Sequence, residues 1–299
     1  MIVEPSILAV VNHKGGVGKT TTAINLAASF ADLGNSTLLV DLDPSANSAS
    51  GLGFDESEEL YKKSVCDAIN NGHSAADIAL PTSVENLWFA GSPRGDLAKI
   101  SSEAQGKYYQ NTLFDRLLDE RTRKRFEVTI IDTPPNTDSP IIYSLLSSTQ
   151  YYIVPMFADK FSLDGLVEHL KLAEGIRSKI NKGLTCLGVL ITNYERTAEE
   201  NEKIKLIAKY CKQANLPLLN TKIPRTKTLI KKSQNVNLPL LAYKNAKGRP
   251  VTTAHNALAG EIAPMLKGKK SGKKKDPLNI DRLIASQSTG AVSNFQIEI

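Results

Sequence analysis

Two lysines and three glycines stand close together near the start of the chain, in the segment Lys14-Gly15-Gly16-Val17-Gly18-Lys19-Thr20. Glycines let backbone N–H groups turn toward a phosphate, Lys19 can place its charge beside the β- and γ-phosphates, and the Thr20 hydroxyl can bind Mg²⁺. The general pattern G-x-x-x-x-G-K-[ST] is not complete, because His13 stands where its first glycine would be. A glycine-rich turn with incidental lysines is the alternative. The residue types nevertheless predict that this loop binds phosphate.

Further apolar runs end in carboxylates that could serve the same site. Residues 37–42 form one such run, with Asp41 inside it and Asp43 directly after it. Another apolar run ends in Asp132, which can hold Mg²⁺ through a water opposite Thr20. For Asp41 and Asp43, the alternative is that they only cap the end of a strand.

The hydrophobic pattern indicates the elements that must position these groups. Residues 7–11 form an apolar run that predicts a strand, and residues 21–33 carry apolar positions at helical spacing. Later runs at 151–155 and 184–192 predict two more strands, with a helix from about 162 to 179 between them. Parallel strands that end in polar residues place a ligand at the carboxyl edge of the sheet. We therefore predict an α/β fold, a mostly parallel twisted sheet with helices on both faces.

The loop resembles the deviant Walker A box, K-G-G-x-G-K-[ST], of the ParA/MinD superfamily of P-loop ATPases, with Lys14 as the signature lysine. Residues 41–44 resemble the D-x-D-P box of that family, and residues 132–135 resemble a Walker B box of the D-T-P-P type. The chain resembles ParA (Soj-like) proteins without an N-terminal helix-turn-helix domain most closely, and the resemblance runs from about residue 7 to residue 266.

The resemblance implies ATP and Mg²⁺ as ligands and gives each residue a role. Lys14 would reach across a dimer interface to phosphates held by the other subunit, as an arginine finger does, whereas a solvent-facing lysine is the alternative. The catalytic set would comprise Lys14, Lys19 and Asp43. Asp43 would position the attacking water, and Asp41 would support the site. Thr20 and Asp132 would hold the metal ion. The predicted nucleotide-binding residues of the loop are Gly15, Gly16, Val17, Gly18, Lys19, Thr20 and Thr21.

Two later positions are carried over from the same family as contacts to adenine. One is Asn193, at the end of the predicted strand 184–192, and the other is Pro224, in an I-P-R segment that the family also has. A simple turn at the end of a strand is the alternative for Asn193. An Arg-Thr pair that is common in ParA proteins follows at residues 196 and 197, and Thr197 is predicted to begin a helix of about eighteen residues.

Charge is distributed unevenly along the chain, which has a formal net charge of +6. From residue 203 to residue 260 there are twelve lysines and arginines but no aspartate or glutamate. The stretch contains only two aromatic residues, Tyr210 and Tyr243, so stacking on single-stranded nucleic acid is not indicated. Sequence-independent contact with the backbone of duplex DNA fits better. A basic face kept for solubility is the alternative.

The individual DNA-binding residues follow the family pattern only in part. Many ParA proteins have N-V-R-L after I-P-R, with an arginine that is used for DNA, whereas this chain has threonine at position 228. We therefore carry over only Lys227, Lys231 and Lys232 as DNA-binding residues.

The chain is predicted to divide into an ATPase domain, residues 1–266, and a basic tail, residues 267–299. Six lysines interspersed with glycine and serine open the tail, and such a composition is typical of a flexible arm. A charged arm favours DNA or an acidic partner. Membrane binding through an amphipathic helix, as at the end of MinD, is the rival use, but Leu278, Ile280, Leu283 and Ile284 give only a weak apolar face.

Composition narrows the class of protein further. A chain of 299 residues that is 41% hydrophobic is long enough to bury a large core. Neither a signal segment nor a run of about 20 apolar residues is present, so we expect a cytoplasmic protein and no membrane. The resemblance to ParA proteins implies that it is associated with the nucleoid. The three cysteines lack the spacing of a metal site or a disulfide framework. Their scarcity also weighs against the iron protein of nitrogenase, a relative with a similar loop.

Two hypotheses from different classes therefore remain. The first is a ParA-type partition ATPase, whose ATP-bound homodimer binds double-stranded DNA non-specifically and whose slow hydrolysis is stimulated by a ParB-like partner. The second is a MinD-like switch that positions itself or a cargo on a membrane or a protein. A metabolic enzyme that shares the loop is a more distant third, since we find no motif for a second small substrate.

Overall fold

The central sheet has eight strands in the part of the chain that this computed structural model describes, residues 5–54, 57–98, 113–135 and 140–266 together with Leu278 and Ile280. The strands are β1 (Ser6–Val10), β2 (Thr37–Asp41), β3 (Leu80–Pro81), β4 (Leu87–Ala90), β5 (Val128–Asp132), β6 (Tyr151–Met156), β7 (Thr185–Tyr194) and β8 (Leu218–Pro224). They are ordered β3-β4-β2-β5-β1-β6-β7-β8. Every neighbouring pair is parallel except β3 and β4. The predicted mostly parallel sheet is confirmed.

Helices connect these strands. They are α1 (Lys19–Asp32), α2 (Asn47–Leu52), α3 (Glu58–Lys62), α4 (Val65–Asn71), α5 (Ala75–Ile78), α6 (Glu120–Arg125), α7 (Pro140–Ser148), α8 (Lys160–Lys179), α9 (Ala198–Gln213), α10 (Lys227–Gln234) and α11 (Pro250–Leu266), with a 3₁₀ turn at Lys244–Ala246. The predicted strand, loop and helix around the glycine-rich segment are present as β1 and α1. The predicted start at Thr197 is also present, since its side chain accepts a hydrogen bond from the backbone N–H of Glu200 at the first turn of α9.

The sheet is buried on both faces because alternate side chains of each strand enter different cores. Ile7 and Ala9 of β1 belong to the first core, which lies against α7, α8 and α9. Leu8 and Val10 belong to the second core, which lies against α1 and α11. Burial on both faces explains why the strands read as continuous apolar runs instead of alternating with polar residues. Helices therefore cover both faces of the sheet, as the sequence predicts.

The C-terminal tail is described at only two positions. Leu278 and Ile280 are partly buried and pack against the first core. The six lysines that open the tail lie outside the described residues, as does the predicted flexible arm that they form. Among the residues described, none of the helices combines the length and the apolar character that crossing a bilayer requires.

A fully buried histidine on α8 makes folding stability depend on pH. The His169 ring packs edge-on against Tyr152, with 5.5 Å between ring centroids, and neither ring nitrogen has a hydrogen-bond partner among the described residues. Burial lowers the pKa of His169 to about 4, and the nearby positive groups His13 and Lys19 lower it further. The unfolded chain therefore binds more protons than the folded chain between pH 6.5 and pH 4, so stability must fall as the pH falls through this window.

We expect His169→Phe to reduce this acid destabilisation. A phenyl ring has a similar shape and no proton to gain, so the variant should lose up to about 1.4 kcal/mol less stability per pH unit below 6.5 than the wild type. Urea unfolding monitored by circular dichroism at pH 7.5, 6.0 and 5.0 would measure the difference. A buried histidine on α11, His255, whose pKa burial also lowers to about 4, remains in the variant and should preserve part of the slope. Parallel curves for the two proteins would contradict the assignment to His169.

Candidate active site

The glycine-rich loop is folded as an anion cradle. Gly16 and Gly18 have left-handed backbones, with φ of 75° and 88°, and Gly18 is the N-cap of α1. A side chain at either position would strain the loop, which explains the glycines there. Lys19 is buried, and its Nζ donates a hydrogen bond to the carbonyl oxygen of Lys14 at 3.1 Å, across the loop. The N-terminus of α1 therefore lies at the loop, where the backbone N–H groups of its first turn can bind an anion.

Lys19 faces acidic groups as well as the loop. Burial lowers the pKa of Lys19 from its ordinary value, whereas the carboxylates of Asp132 and Asp43 act in the opposite direction. These two aspartates come from different strand ends, and the structure brings them to the same side of the loop. The predicted phosphate-binding lysine and the predicted catalytic and metal-binding acids thus share one site.

Asp132 ends β5 and is fully buried. Its Oδ2 accepts a hydrogen bond from the Ser48 hydroxyl at 2.9 Å, its Oδ1 accepts one from the backbone N–H of Thr133 at 3.1 Å, and the Thr20 hydroxyl also hydrogen-bonds to it. Burial raises the pKa of Asp132 to about 6, and the hydrogen bonds from Thr20 and Ser48 oppose that shift. A hydroxyl and a carboxylate in direct contact are a donor set that suits Mg²⁺, so the residues present fit the ion implied by the resemblance.

Ser48 connects two of the buried acids and was not among the predicted site residues. Besides its hydroxyl contact with Asp132, its backbone N–H donates to Oδ2 of Asp41 at 3.0 Å. Oδ1 of Asp41 accepts a second bond, from the backbone N–H of Asp43 at 3.0 Å. Burial, followed by the charge of Asp132, raises the pKa of Asp41 well above its usual value. Asp41 therefore acts by shaping the turn between β2 and α2. The only signal that could have identified Ser48 is its position in the first turn of α2.

Asp43 lies beside a cavity of about 650 Å³ over the loop. Its side chain is mostly buried, and Oδ1 accepts a hydrogen bond from the backbone N–H of Ser45 at 2.8 Å. The part of the cavity lining that comes from the loop and α1 is Gly15, Gly16, Gly18, Lys19, Thr20 and Thr21. Gln234 and Asn237, which no sequence pattern indicated, line the cavity from a distant segment. The arrangement places a carboxylate where a water could attack a phosphate held by the loop.

A second cavity, of about 400 Å³, adjoins the first on the side of β7 and β8. Asn193 and Pro224, the two positions predicted to contact adenine, both line it, as does Val17 of the loop. Asn193 has a left-handed backbone, with φ of 58°, which turns the chain at this edge of the sheet. The Thr192 hydroxyl donates to the carbonyl oxygen of Val17 at 2.8 Å and so ties β7 to the loop. The two cavities together have the layout of a nucleotide site, with phosphates and base at opposite ends.

Lys14 forms an ion pair within its own chain. Its Nζ lies 3.0 Å from Oδ2 and 3.2 Å from Oδ1 of Asp159, and 5.7 Å from the centroid of the Phe157 ring. About one third of each charged side chain is exposed, so the pair is partly solvated. Such pairs contribute roughly 1 kcal/mol or less and are easily exchanged. Asp159 is a further residue that was not predicted, since nothing in the segment after β6 indicates its partner.

Some cations of the basic stretch form ion pairs in the described part of the chain, and others are exposed on α10. Lys203 pairs with Glu199, and Lys205 lies 2.6 Å from Glu202, because helical spacing brings acids from just before the stretch into reach. Lys231 and Lys232 are exposed on α10. The Lys227 side chain lies outside the described part of the structure, although its backbone opens α10. The acid-free stretch is therefore less uniformly positive than its composition suggests, and its charge is concentrated toward α10.

A groove of about 630 Å³ extends this positive surface beyond α10. Lys232 lines one side, and Lys244, Lys247 and Arg249 line the other, around the 3₁₀ turn and the start of α11. Composition counts these cations but does not indicate that they lie together. Their convergence depends on the turn that folds residues 244–249 back against α10.

Comparisons with known proteins identify the family of this chain. The family model AAA_31, described as an AAA domain, matches residues 5–186. The Bacillus subtilis sporulation initiation inhibitor protein Soj is 32% identical over 244 residues, which is 79% of this chain and 90% of Soj. The Thermus thermophilus chromosome-partitioning ATPase Soj is 36% identical over 188 residues, 63% of this chain and 69% of that protein. This chain belongs to the Soj/ParA family of ATPases.

A solved structure extends the comparison to other members of the fold. Cobyrinic acid a,c-diamide synthase from Mycobacterium smegmatis, with bound ADP and magnesium, superposes with a TM-score of 0.71 at 26% identity, covering 91% of this chain and 98% of the synthase. The Soj/ParA chain thus shares its fold with an enzyme that acts on a small molecule. Membership of the family, and not the fold alone, therefore has to guide the functional assignment.

Proposed function

We propose that this Soj/ParA-family protein is a partition ATPase that binds ATP and Mg²⁺, forms a homodimer around ATP and holds non-specific DNA in that state. The observation that supports it most is the position of α10: its exposed lysines lie on one side, and the segment that ends it lines the phosphate cavity. A nucleotide switch and a cationic surface are thus parts of one structural unit.

The proposed reaction is hydrolysis of ATP to ADP and phosphate. Gly15, Gly16 and Gly18 turn the loop around the phosphates, and Lys19 neutralises their negative charge. Thr20 and Asp132 would hold Mg²⁺, which neutralises charge that develops on the transferred group. Asp43 orients the attacking water and takes up its proton, a role that suits a carboxylate beside the phosphate cavity.

The proposed dimer gives Lys14 a second acceptor besides the carboxylate it pairs with in its own chain. In the single chain Lys14 pairs with Asp159. The family resemblance implies that the same ammonium group contacts ATP bound to the partner subunit. We propose that Lys14 leaves this carboxylate for the triphosphate of ATP bound to a second copy, because the triphosphate carries more negative charge. Intrinsic hydrolysis is slow, because the switch needs a lasting ATP state, and a ParB-like adaptor stimulates it. Such a protein would be cytoplasmic and associated with the nucleoid.

The DNA surface comprises Lys227, Lys231 and Lys232, extended by the groove that Lys244, Lys247 and Arg249 line. Lysines without interleaved aromatic residues contact phosphates and carry no base readout, so the binding should be independent of DNA sequence and sensitive to salt. The test is the affinity for an arbitrary duplex, measured by fluorescence anisotropy at several salt concentrations with ATP and with ADP.

We expect the triple substitution of Lys227, Lys231 and Lys232 by alanine to weaken duplex binding and flatten its salt dependence. The slope of log affinity against log salt should decrease by about 1 for each lysine that no longer neutralises a phosphate. ATP affinity should not change, because Lys231 and Lys232 do not line the phosphate cavity in the described part of the structure. A control removes three exposed lysines from the opposite layer, Lys171, Lys179 and Lys182, and should leave the slope unchanged. An equal loss in both triple variants would indicate that net charge, and not this surface, is responsible.

Two other functions make different predictions in the same assays. A MinD-like switch would bind anionic liposomes in an ATP-dependent way and would not bind duplex DNA. A synthase-like activity, which the shared fold with cobyrinic acid a,c-diamide synthase makes worth testing, would yield a small-molecule product in proportion to ADP. Duplex binding that requires ATP, with neither liposome binding nor such a product, is the result expected of a partition ATPase.

A further inference from the structure

One wall of the phosphate cavity comes from the turn that follows α10. Gln234, the last residue of α10, and Asn237 line the cavity opposite the glycine-rich loop, although about 215 residues of sequence separate them from it. The turn is closed by backbone hydrogen bonds from Val236 to Ser233 at 3.2 Å and from Asn237 to Gln234 at 3.0 Å. Any ligand in the cavity therefore lies against the end of the helix that carries Lys231 and Lys232.

The Asn237 side chain fastens this turn to α2. Its amide lies 2.9 Å from the carbonyl oxygen of Ser50 and 3.1 Å from that of Gln234, and only the NH₂ group can pair with two carbonyl oxygens, so Nδ2 is the atom that faces them. The contact is close on both sides, since a Cβ on Gly53 would lie 3.2 Å from Cβ of Asn237. Asn237 also has a left-handed backbone, with φ of 55°, which asparagine tolerates better than most residues.

The first turn of α2 is fastened to the acids of the site. Ser48 donates its hydroxyl proton to Asp132 and its backbone N–H proton to Asp41. Because Ser48 and Ser50 lie two positions apart in a helix of only six residues, about 9 Å long, they can hardly move independently. Two hydrogen bonds, from Ser48 to Asp132 and from Asn237 to Ser50, therefore link Asp132 to the turn after α10 through the backbone of α2.

We propose that Asn237 is a positioning residue, through which the occupancy of the phosphate cavity sets the placement of α10. Phosphates and a metal ion change what Asp132 and Ser48 bind, α2 transmits the adjustment, and Asn237 transfers it to α10. The part of this inference that concerns DNA rests on the proposed function, since it assigns α10 as the DNA surface. The part that concerns α2 and α10 stands on the contacts alone.

Thermodynamic linkage determines how such a coupling changes the affinities for ATP and DNA. If ATP raises the affinity for DNA by some factor, DNA raises the affinity for ATP by the same factor, and a residue that transmits the coupling changes both. A residue with a purely structural role would lower stability or affinity in every nucleotide state alike. The ratio of affinities between two nucleotide states is therefore the readout that separates the two roles.

The test uses the full chain with Asn237→Gly. Glycine accepts the left-handed backbone, so the substitution removes the amide without straining the turn. Asn237→Asp is the second variant, since it keeps the shape of the side chain and the tolerance for this backbone but replaces the NH₂ donor with an acceptor. Asn235→Ala is the matched control, because Asn235 is exposed in the same turn and has an ordinary helical backbone. Thermal unfolding of each variant checks that it is folded.

Two measurements are made on each protein. Hydrogen exchange of residues 227–238 is compared between nucleotide-free protein and protein with ADP and Mg²⁺, a comparison that does not require DNA or an ATP-bound dimer. Duplex affinity is then compared between a non-hydrolysable ATP analogue and ADP. We expect the wild type and Asn235→Ala to show nucleotide-dependent protection of the segment, and both Asn237 variants to lose it. The ratio of duplex affinities should fall at least about fivefold in those variants, the lower end of typical allosteric couplings.

The outcomes distinguish failure of the coupling through Asn237 from failure of the proposed function. If nucleotide leaves exchange of the segment unchanged in the wild type, or if both Asn237 variants keep the wild-type difference, the inference is overturned whatever happens with DNA. If the exchange difference is present and is lost in the variants while the wild type binds no duplex in any nucleotide state, the proposed function fails and the coupling through Asn237 stands.

Discussion

Replacing Asp43 with alanine should lower the rate of ATP hydrolysis by a factor of about 10² to 10⁴, the usual contribution of a group that positions and deprotonates a nucleophile. Asp43 lies beside the phosphate cavity, and the backbone N–H of Ser45 donates to its Oδ1 and so fixes the orientation of the carboxylate. The loop and the metal-binding pair are untouched by the substitution, so ATP should bind as well as in the wild type. The variant should accumulate as an ATP-bound dimer that keeps its hold on duplex DNA.

Single-turnover hydrolysis and equilibrium binding of a fluorescent ATP analogue would measure the two effects separately. Ser45→Ala is a suitable control, because it changes a neighbouring lining residue while leaving the backbone N–H that holds Asp43. Turnover by Asp43→Ala at the wild-type rate would mean that another group positions the water. A parallel loss of ATP affinity would instead assign Asp43 to binding.

Replacing Lys14 with alanine should abolish ATP-dependent dimerisation and lower hydrolysis by about 10³-fold or more, the range found for cations that a second subunit supplies to a phosphoryl group. The reason lies in where the Lys14 side chain rests. It binds Asp159 of its own chain through a partly exposed ion pair, so it can leave for a more highly charged acceptor at little cost. Loss of the Lys14 side chain removes its contact with the partner's ATP, and in a symmetric dimer this happens at both sites.

Asp159→Ala is the matched control for this experiment. It removes the same ion pair but keeps the lysine, so dimerisation should be retained or strengthened by up to about fivefold, equivalent to the roughly 1 kcal/mol of a partly exposed pair. Sedimentation velocity with ATP and with ADP would follow both variants. If Lys14→Ala dimerises as the wild type does, the role across the interface is wrong. If both variants fail to dimerise, the ion pair itself supports the loop that binds ATP.

Much of the site was predictable because its parts are short and contiguous. Residues 14–20 contain the whole phosphate loop, and the apolar runs before Asp43 and Asp132 identify the strands that carry these acids. Once the strands are known to be parallel, their carboxyl ends must meet at one edge of the sheet. Predicted element boundaries differ from the structure by only a few residues, since period and length are local properties.

Ser48 and Asp159 were missed because their contacts join residues that are far apart in the sequence. Ser48 contacts Asp132, which is 84 positions later, and Lys14 contacts Asp159, which is 145 positions later. The contacts of Ser48 and Lys14 depend on how a loop or helix end packs against another element, and no local pattern carries that information. Lys203 and Lys205 were counted in the basic stretch although acids outside it pair with them, and those pairs follow from helical spacing within α9.

The sequence by itself therefore determined the chemistry: a phosphate loop with a second lysine, acids at the ends of buried strands, and a parallel α/β sheet. Backbone preference and hydrophobic period dictate these features residue by residue. Only the tertiary structure decided the partners of the chemical groups, including the ion pair that holds Lys14 and the contact of Asn237 with α2. The physical reason is that side-chain pairing across layers depends on the distances between packed elements, which exist only after the chain has folded.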